Sequence, residues 1–169
     1  VQTCALPISS AMTRTGAIGL LGTAATIRQG YVDRLEAEFA ADKHLLRHGA
    51  PELVAAAEAK LRGQAVDPAV FERAARALRE QPHGDSIDTV VLACTHFPLV
   101  QQELAQAFGP GVAFIDGSDG IARRIDSLTR QQQWRKTGPD RALFTRGGID
   151  VDQLGAVLEA HGLTDVGVV

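Results

Sequence analysis

Apolar positions along this chain fall into two alternating patterns, short unbroken runs and longer stretches at helical spacing. The first run, residues 17–21 (AIGLL), ends in Gly22-Thr23 and reads as a buried parallel strand feeding a loop, with Thr26 placed to cap the helix that follows. Ile27, Val32, Leu35 and Phe39 mark that helix over residues 27–42. Pro51 opens a second helix carrying Leu53, Val54, Ala57 and Leu61, and Asp67-Pro68 opens a third that runs to Glu80. Pro82, Gly84 and Asp85 break the chain before residues 87–94 (IDTVVLAC), a β-branched run apolar on both faces that predicts a central strand. Pro98 suits the first turn of a helix reaching Phe108, and residues 112–116 (VAFID) predict the next strand. Beyond a loop at 117–120, Ile121, Ile125 and Leu128 mark another helix; a polar connection then leads to a strand at 142–145 and a last helix at 151–161. Alternating strands and helices without an internal repeat predict an α/β fold, a three-layer, helix-covered, largely parallel sheet.

Residues 1–10 (VQTCALPISS) show neither period and differ from the Ala- and Arg-rich chain that follows. They resemble translated sequencing-adapter DNA. The expectation is that residues 1–11 are a non-native or disordered leader, with Cys4 foreign to the protein, and that residues 12–169 form the folded lobe.

Composition adds limits rather than a class. The 169 residues suffice for one well-buried domain, and 45% hydrophobic with 22% charged residues is ordinary for a globular protein. A net charge of -3 gives no basic footprint for nucleic acid or an anionic membrane, and Arg123-Arg124 and Arg135-Lys136 are local pairs only. Two cysteines far apart, with no Cys-x-x-Cys, argue against a disulfide framework or a structural zinc site and fit a reducing cytoplasm. No apolar run approaches the roughly 20 residues that span a bilayer, and the start lacks the pattern of an export signal.

In open α/β sheets the ligand crevice lies beyond the carboxyl ends of the strands. Three loops at such ends carry reactive groups: residues 22–26 (GTAAT), Cys94-Thr95-His96, and Asp116-Gly117-Ser118. Cys94 ends the central strand just before a helix N-terminus, a setting that favours a thiolate; an inert core cysteine fits the same position. His96 suits an acid, a base or a polar turn residue. Because side chains at i and i+2 sit on one element, whereas a Cys-His nucleophile pair normally spans two, a cysteine hydrolase is disfavoured. Thr23, Thr26 and Thr95 offer hydroxyls and amides for a carboxylate, or serve only as caps. Glu58, inside the Ala-rich stretch AAAEAKLRG, reads as a solvated face. No Gly-x-Gly-x-x-Gly follows a strand, and DGSDG is too short to indicate phosphate, so no cofactor is implied.

The segments LLGTAATIRQGYV, HGAPELVAAAEAKLRG, VVLACTHFPL and DGSDGIARR together resemble the second half of glutamate racemases, in the cofactor-independent aspartate/glutamate racemase superfamily. The resemblance runs from about Gly16 to about Thr145, and Cys-Thr-His-Phe-Pro-Leu is its most specific block. It implies a racemase-like lobe and two-base chemistry: two cysteines face opposite sides of the substrate α-carbon, one removing a proton and the other returning one. By this resemblance Cys94 is the second-half cysteine, His96 assists it, and Glu58 supports the histidine. Thr95 contacts substrate, and Thr23 and Thr26 contact its carboxylate. The first-half Asp-Ser, Tyr-Gly and Cys-Asn-Thr blocks do not occur before Gly16. The expected partners are therefore glutamate and a missing N-terminal lobe, or a second copy in a homodimer, and the chain alone is expected to be inactive. The activity so implied is interconversion of L- and D-glutamate, supplying D-glutamate for peptidoglycan. The alternatives are a racemase for aspartate or a related amino acid, against which GTAATI and DGSDGIARR weigh, and a non-catalytic binding or assembly module of the same fold.

Overall fold

Two apolar runs are buried at every position and lie side by side: Ala17–Gly22 forms β1 and Thr89–Ala93 forms β3. They pair in parallel, Ile18 opposite Thr89 and Gly22 opposite Ala93. β2, His44–Gly49, flanks β1, and β4, Ala113–Ile115, flanks β3, so the four-stranded sheet runs β2-β1-β3-β4 with every pairing parallel. This computed structural model describes residues 5–28, 30–133, 135 and 138–169. Cys4 and Lys136 lie outside the described residues.

Side chains alternate across the two central strands. Ala17, Leu21, Val90 and Leu92 point to one face, where they pack with Leu53, Ala57, Phe71, Leu78, Phe97 and Leu104. Those partners come from α4 (Glu52–Leu61), α5 (Ala69–Arg79), the 3-10 turn Phe97–Val100 and α6 (Gln101–Phe108). Ile18, Leu20, Val91 and Ala93 point to the other face and meet Ala5 and Val32. These belong to α1 (Ala5–Met12) and α3 (Gly30–Phe39). Helices thus cover both faces of a parallel sheet, as burying its apolar residues requires, and the predicted three-layer α/β arrangement stands. Among the described residues no helix is long and apolar enough to cross a membrane.

Several boundaries differ from those read in the sequence. Of the leader expected to be non-native or disordered, the part from Ala5 is helical, because Ala5, Leu6 and Ser9 are buried against the sheet and α3. β2 was not anticipated: it is an edge strand of sequence HLLRHG in which only Leu46 is buried, so its apolar signal is weak. The helix expected over 27–42 is two, α2 (Ala24–Ile27) and α3, and Thr23 caps the first, with Thr26 inside it. Pro98 lies in the 3-10 turn, and α6 begins only at Gln101. The last helix is likewise split, into α8 (Ile149–Asp152) and α9 (Gly155–Ala160).

The chain after Ile115 has a different character. α7 (Ser118–Thr129) leaves Ile125 and Leu128 exposed, and β5 (Arg141–Phe144) pairs in parallel with β6 (Asp165–Val168) in a separate two-stranded sheet. β6 was not read from the sequence. No described residue beyond Ile115 is buried, so the lobe expected over 12–169 keeps its core within residues 5–115.

Gly84 shows how tightly that core closes. A Cβ there would lie 2.3 Å from the Arg79 carbonyl oxygen and 2.5 Å from that of Leu78, both rigid backbone. Gly84→Ala is expected to lower stability to urea by roughly 1–3 kcal/mol, whereas an unchanged unfolding midpoint would show that α5 and the turn after it have room to part.

Candidate active site

The parallel register decides where the reactive residues stand. Gly22 is level with Gly49 on one side and Ala93 on the other, so the loops that follow β1 and β3 leave the sheet together. α2 packs down over this edge: a Cβ on Gly49 would lie 3.0 Å from Ile27 Cδ1 and 3.2 Å from the Ala24 Cα. Thr23 holds α2 in place as its N-cap, accepting from the Thr26 amide at 3.2 Å, and the two hydroxyls are 3.0 Å apart.

A cavity of about 560 Å³ opens at the strand ends, and the three loops singled out in the sequence meet in its wall through Thr26, Cys94, Thr95, Asp116 and Ser118. Its apolar part is supplied by Leu20, Tyr31, Leu35, Val91 and Ile121. Thr23 is not in this wall and stands behind Thr26 as the cap. Asp116 Oδ1 accepts from the Ser118 amide at 2.7 Å, which shapes the third loop.

Cys94 follows β3 directly and is a half-buried free thiol. The chain then turns, with the Phe97 amide bonded to the Cys94 carbonyl at 3.1 Å and Phe97 buried as an anchor. This turn brings His96 back beside the thiol, with Nδ1 3.9 Å from Cys94 Sγ. On its far side His96 Nε2 meets Glu58 Oε1 at 2.9 Å. α4 and the turn are pinned together close by, where Lys60 Nζ donates to the Leu99 carbonyl at 2.9 Å and pairs with Glu103 at 2.7 Å.

An ionised carboxylate only accepts, so Nε2 carries the ring proton and, in the neutral imidazole, Nδ1 presents its lone pair to the thiol. The row Cys94, His96, Glu58 can therefore pass the thiol proton to the imidazole and stabilise the resulting imidazolium-thiolate pair. Spacing alone read Glu58 as a solvated face, while the family resemblance assigned it to His96; the contact bridges 38 positions. Arg62, which sequence reading passed over, pairs with Glu58 one turn along α4. The i,i+4 spacing of Glu58 and Arg62 on a predicted helix is the signal that would have found it.

The family model described as Asp/Glu/Hydantoin racemase matches residues 4–125, and the chain belongs to that family. Among curated proteins it is 53% identical over 163 residues to a glutamate racemase of Sphingopyxis alaskensis, covering 96% of this chain and 61% of that one. It is 42% identical over 113 residues to a glutamate racemase of Pectobacterium carotovorum, covering 67% of this chain and 39% of the relative. Among solved structures, Escherichia coli glutamate racemase in complex with L-glutamate and the activator UDP-MurNAc-Ala superposes with a TM-score of 0.88 at 32% identity, over 96% of this chain and 61% of that one. The chain thus spans less than two thirds of the length of these relatives.

Glu58 is held below the ordinary carboxyl value of 4.5, first by the Arg62 guanidinium, against the opposing effect of burial, with His96 adding to Arg62. A carboxyl depressed in the folded state contributes stability that is present above its unfolded value and lost as pH falls through its folded value. Wild type is therefore expected to melt above Glu58→Gln at neutral pH, by a small margin because the pair is partly exposed, and the margin should shrink below pH 4.5. Thermal melts of both proteins across that range check it; a margin independent of pH would mean that Glu58 stabilises the fold by packing.

Proposed function

We propose that this chain carries one half of a glutamate racemase site, in which Cys94 exchanges a proton with one face of the substrate α-carbon. The reading is carried by one observation: Cys94 stands in the wall of a cavity where three strand-end loops converge, and His96 and Glu58 follow it in a row behind that wall. The names of the relatives support it, as does the L-glutamate in the Escherichia coli complex.

In this mechanism the Cys94 thiolate takes the α-proton of one enantiomer into an S–H bond, leaving the electron pair on the α-carbon and delocalised into the carboxylate. A thiol on the opposite face then delivers its own proton to that carbon, and the configuration inverts. Inversion needs two groups because the proton leaves one face and arrives at the other, and this chain supplies one. His96 takes up and returns the proton that Cys94 must lose to become a thiolate, and Glu58 holds the ring in the tautomer that permits it. Thr95 and Thr26 present hydroxyls and amides to the substrate, with Thr23 supporting Thr26 through the α2 cap. No cofactor enters the scheme. The product D-glutamate would feed peptidoglycan synthesis in a bacterial cytoplasm. The second thiol belongs to a further lobe, and the uncovered apolar residues of α7 and the β5–β6 sheet fit a surface against which such a lobe, or a second copy of this chain, would pack.

Alkylation of Cys94 by iodoacetamide, with Cys4 replaced by serine, should be slowed by glutamate more than by aspartate. Equal protection points to a racemase of wider substrate range, and an unreactive thiol indifferent to both favours a binding module without chemistry. The chain alone should not interconvert L- and D-glutamate at an enzymatic rate; turnover by purified chain that vanishes in Cys94→Ala would overturn the half-site reading. Light scattering should show self-association rising with concentration, where a sharp monomer throughout would remove the need for a covering partner.

A further inference from the structure

Glu58 divides its carboxylate between two partners. Oε1 meets His96 Nε2 at 2.9 Å, while Oε2 is paired with Arg62 Nη1. The same Nη1 donates to the Glu58 main-chain carbonyl at 2.9 Å. Arg62 is the residue that closes α4, and its guanidinium folds back over the last turn, where a cation also suits the helix dipole. Taken alone, a Glu-Arg pair at i,i+4 is a common surface feature of small energy. Here the second oxygen is committed to a residue on another element, so the orientation of the carboxylate matters beyond the helix.

We propose that Arg62 is a positioning residue for the Cys94 thiol: by clasping Glu58 it keeps the carboxylate against His96 Nε2, which directs Nδ1 toward Cys94 and favours the thiolate. The proposal rests on the acid/base reading of Cys94 given above. Two effects of Arg62 oppose each other. Its charge partly neutralises Glu58 and so weakens the pull of the carboxylate on an imidazolium. Its clasp, in turn, withholds from Glu58 the water-facing rotamers that a side chain 38% exposed would otherwise sample. The clasp prevails because charge effects at a partly exposed pair are screened, whereas a carboxylate swung into water loses its bond to His96 outright. The other titratable groups in the cavity wall with Cys94 are Asp116 and Tyr31, while Lys60 on α4 is engaged by Glu103.

The test is the pH dependence of iodoacetamide alkylation at Cys94 in the 169-residue chain, in a Cys4→Ser background with folding checked by circular dichroism. Glu58→Gln should raise the midpoint of the profile. Arg62→Gln should raise it by less, in the same direction, and should add nothing in the Glu58→Gln background. Arg62→Lys, which keeps the charge but replaces the planar guanidinium by a flexible ammonium, should shift the midpoint in that direction by less than Arg62→Gln, and serves as the test if Arg62→Gln does not fold. With Glu58→Gln effective, an unchanged or lowered midpoint in both Arg62 variants overturns the proposal and leaves the role of Glu58 standing. A shift that persists undiminished without Glu58 also overturns it, since Arg62 would then act on the thiolate directly by its charge. An unchanged midpoint in Glu58→Gln itself sinks both Arg62 and the assignment of Glu58, while protection of Cys94 by glutamate reports separately on the racemase reading.

Discussion

The pairing of β1 with β3 is the constraint on which the remainder of the lobe depends. Both strands are buried on both faces, so neither can slip by one residue without turning its apolar set to the wrong layer. The register that results puts Gly22 beside Ala93, and with it the start of the α2 loop beside Cys94. Glycine at the ends of β1 and β2 lets α2 descend onto the sheet edge. A site assembled from loops far apart in sequence thus inherits its precision from hydrogen bonds and side-chain burial in the layer beneath it.

Above that layer, the chemistry depends on a short row of polar groups whose order is set by two elements and the contact that joins them. The turn after β3 carries the thiol and imidazole, α4 carries the carboxylate, and the Lys60 contact to the Leu99 carbonyl fixes the spacing between them. Each member limits the next: a carboxylate that only accepts dictates the histidine tautomer, and the tautomer dictates what the sulfur meets. Membership in the Asp/Glu/hydantoin racemase family agrees with such a site at the carboxyl ends of parallel strands.

Much of this was legible in the sequence because buried parallel strands are written as unbroken apolar runs. β1 and β3 and the three loops at the carboxyl edge followed from AIGLL, IDTVVLAC and VAFID alone. β2 and β6 escaped because each is half exposed, with His, Arg, Asp or Gly where a central strand would carry valine or isoleucine. α1 escaped for a related reason: ALPISSAM is held by what it packs against, and its spacing alone does not announce a helix. Cys94, Thr95 and His96 were visible as one block. The link from His96 to Glu58 came only through the family resemblance and not from the pattern of the residues themselves, since residues 38 positions apart meet only after α4 has packed on the turn.

Among the described residues, the confinement of every buried one to the stretch ending at Ile115 bears on how the chain acquires its structure. A polypeptide emerging from the ribosome folds in cooperative units, earlier segments first. Here the earlier segment needs nothing from the later one to complete its hydrophobic layers. The thiol and its two polar neighbours would be in position while α7 and the β5–β6 sheet were still being synthesised. In native-state hydrogen exchange the same division would divide the molecule into two protection classes, with amides of β1 and β3 opening only on global unfolding and those of β5 and β6 opening locally and far more often.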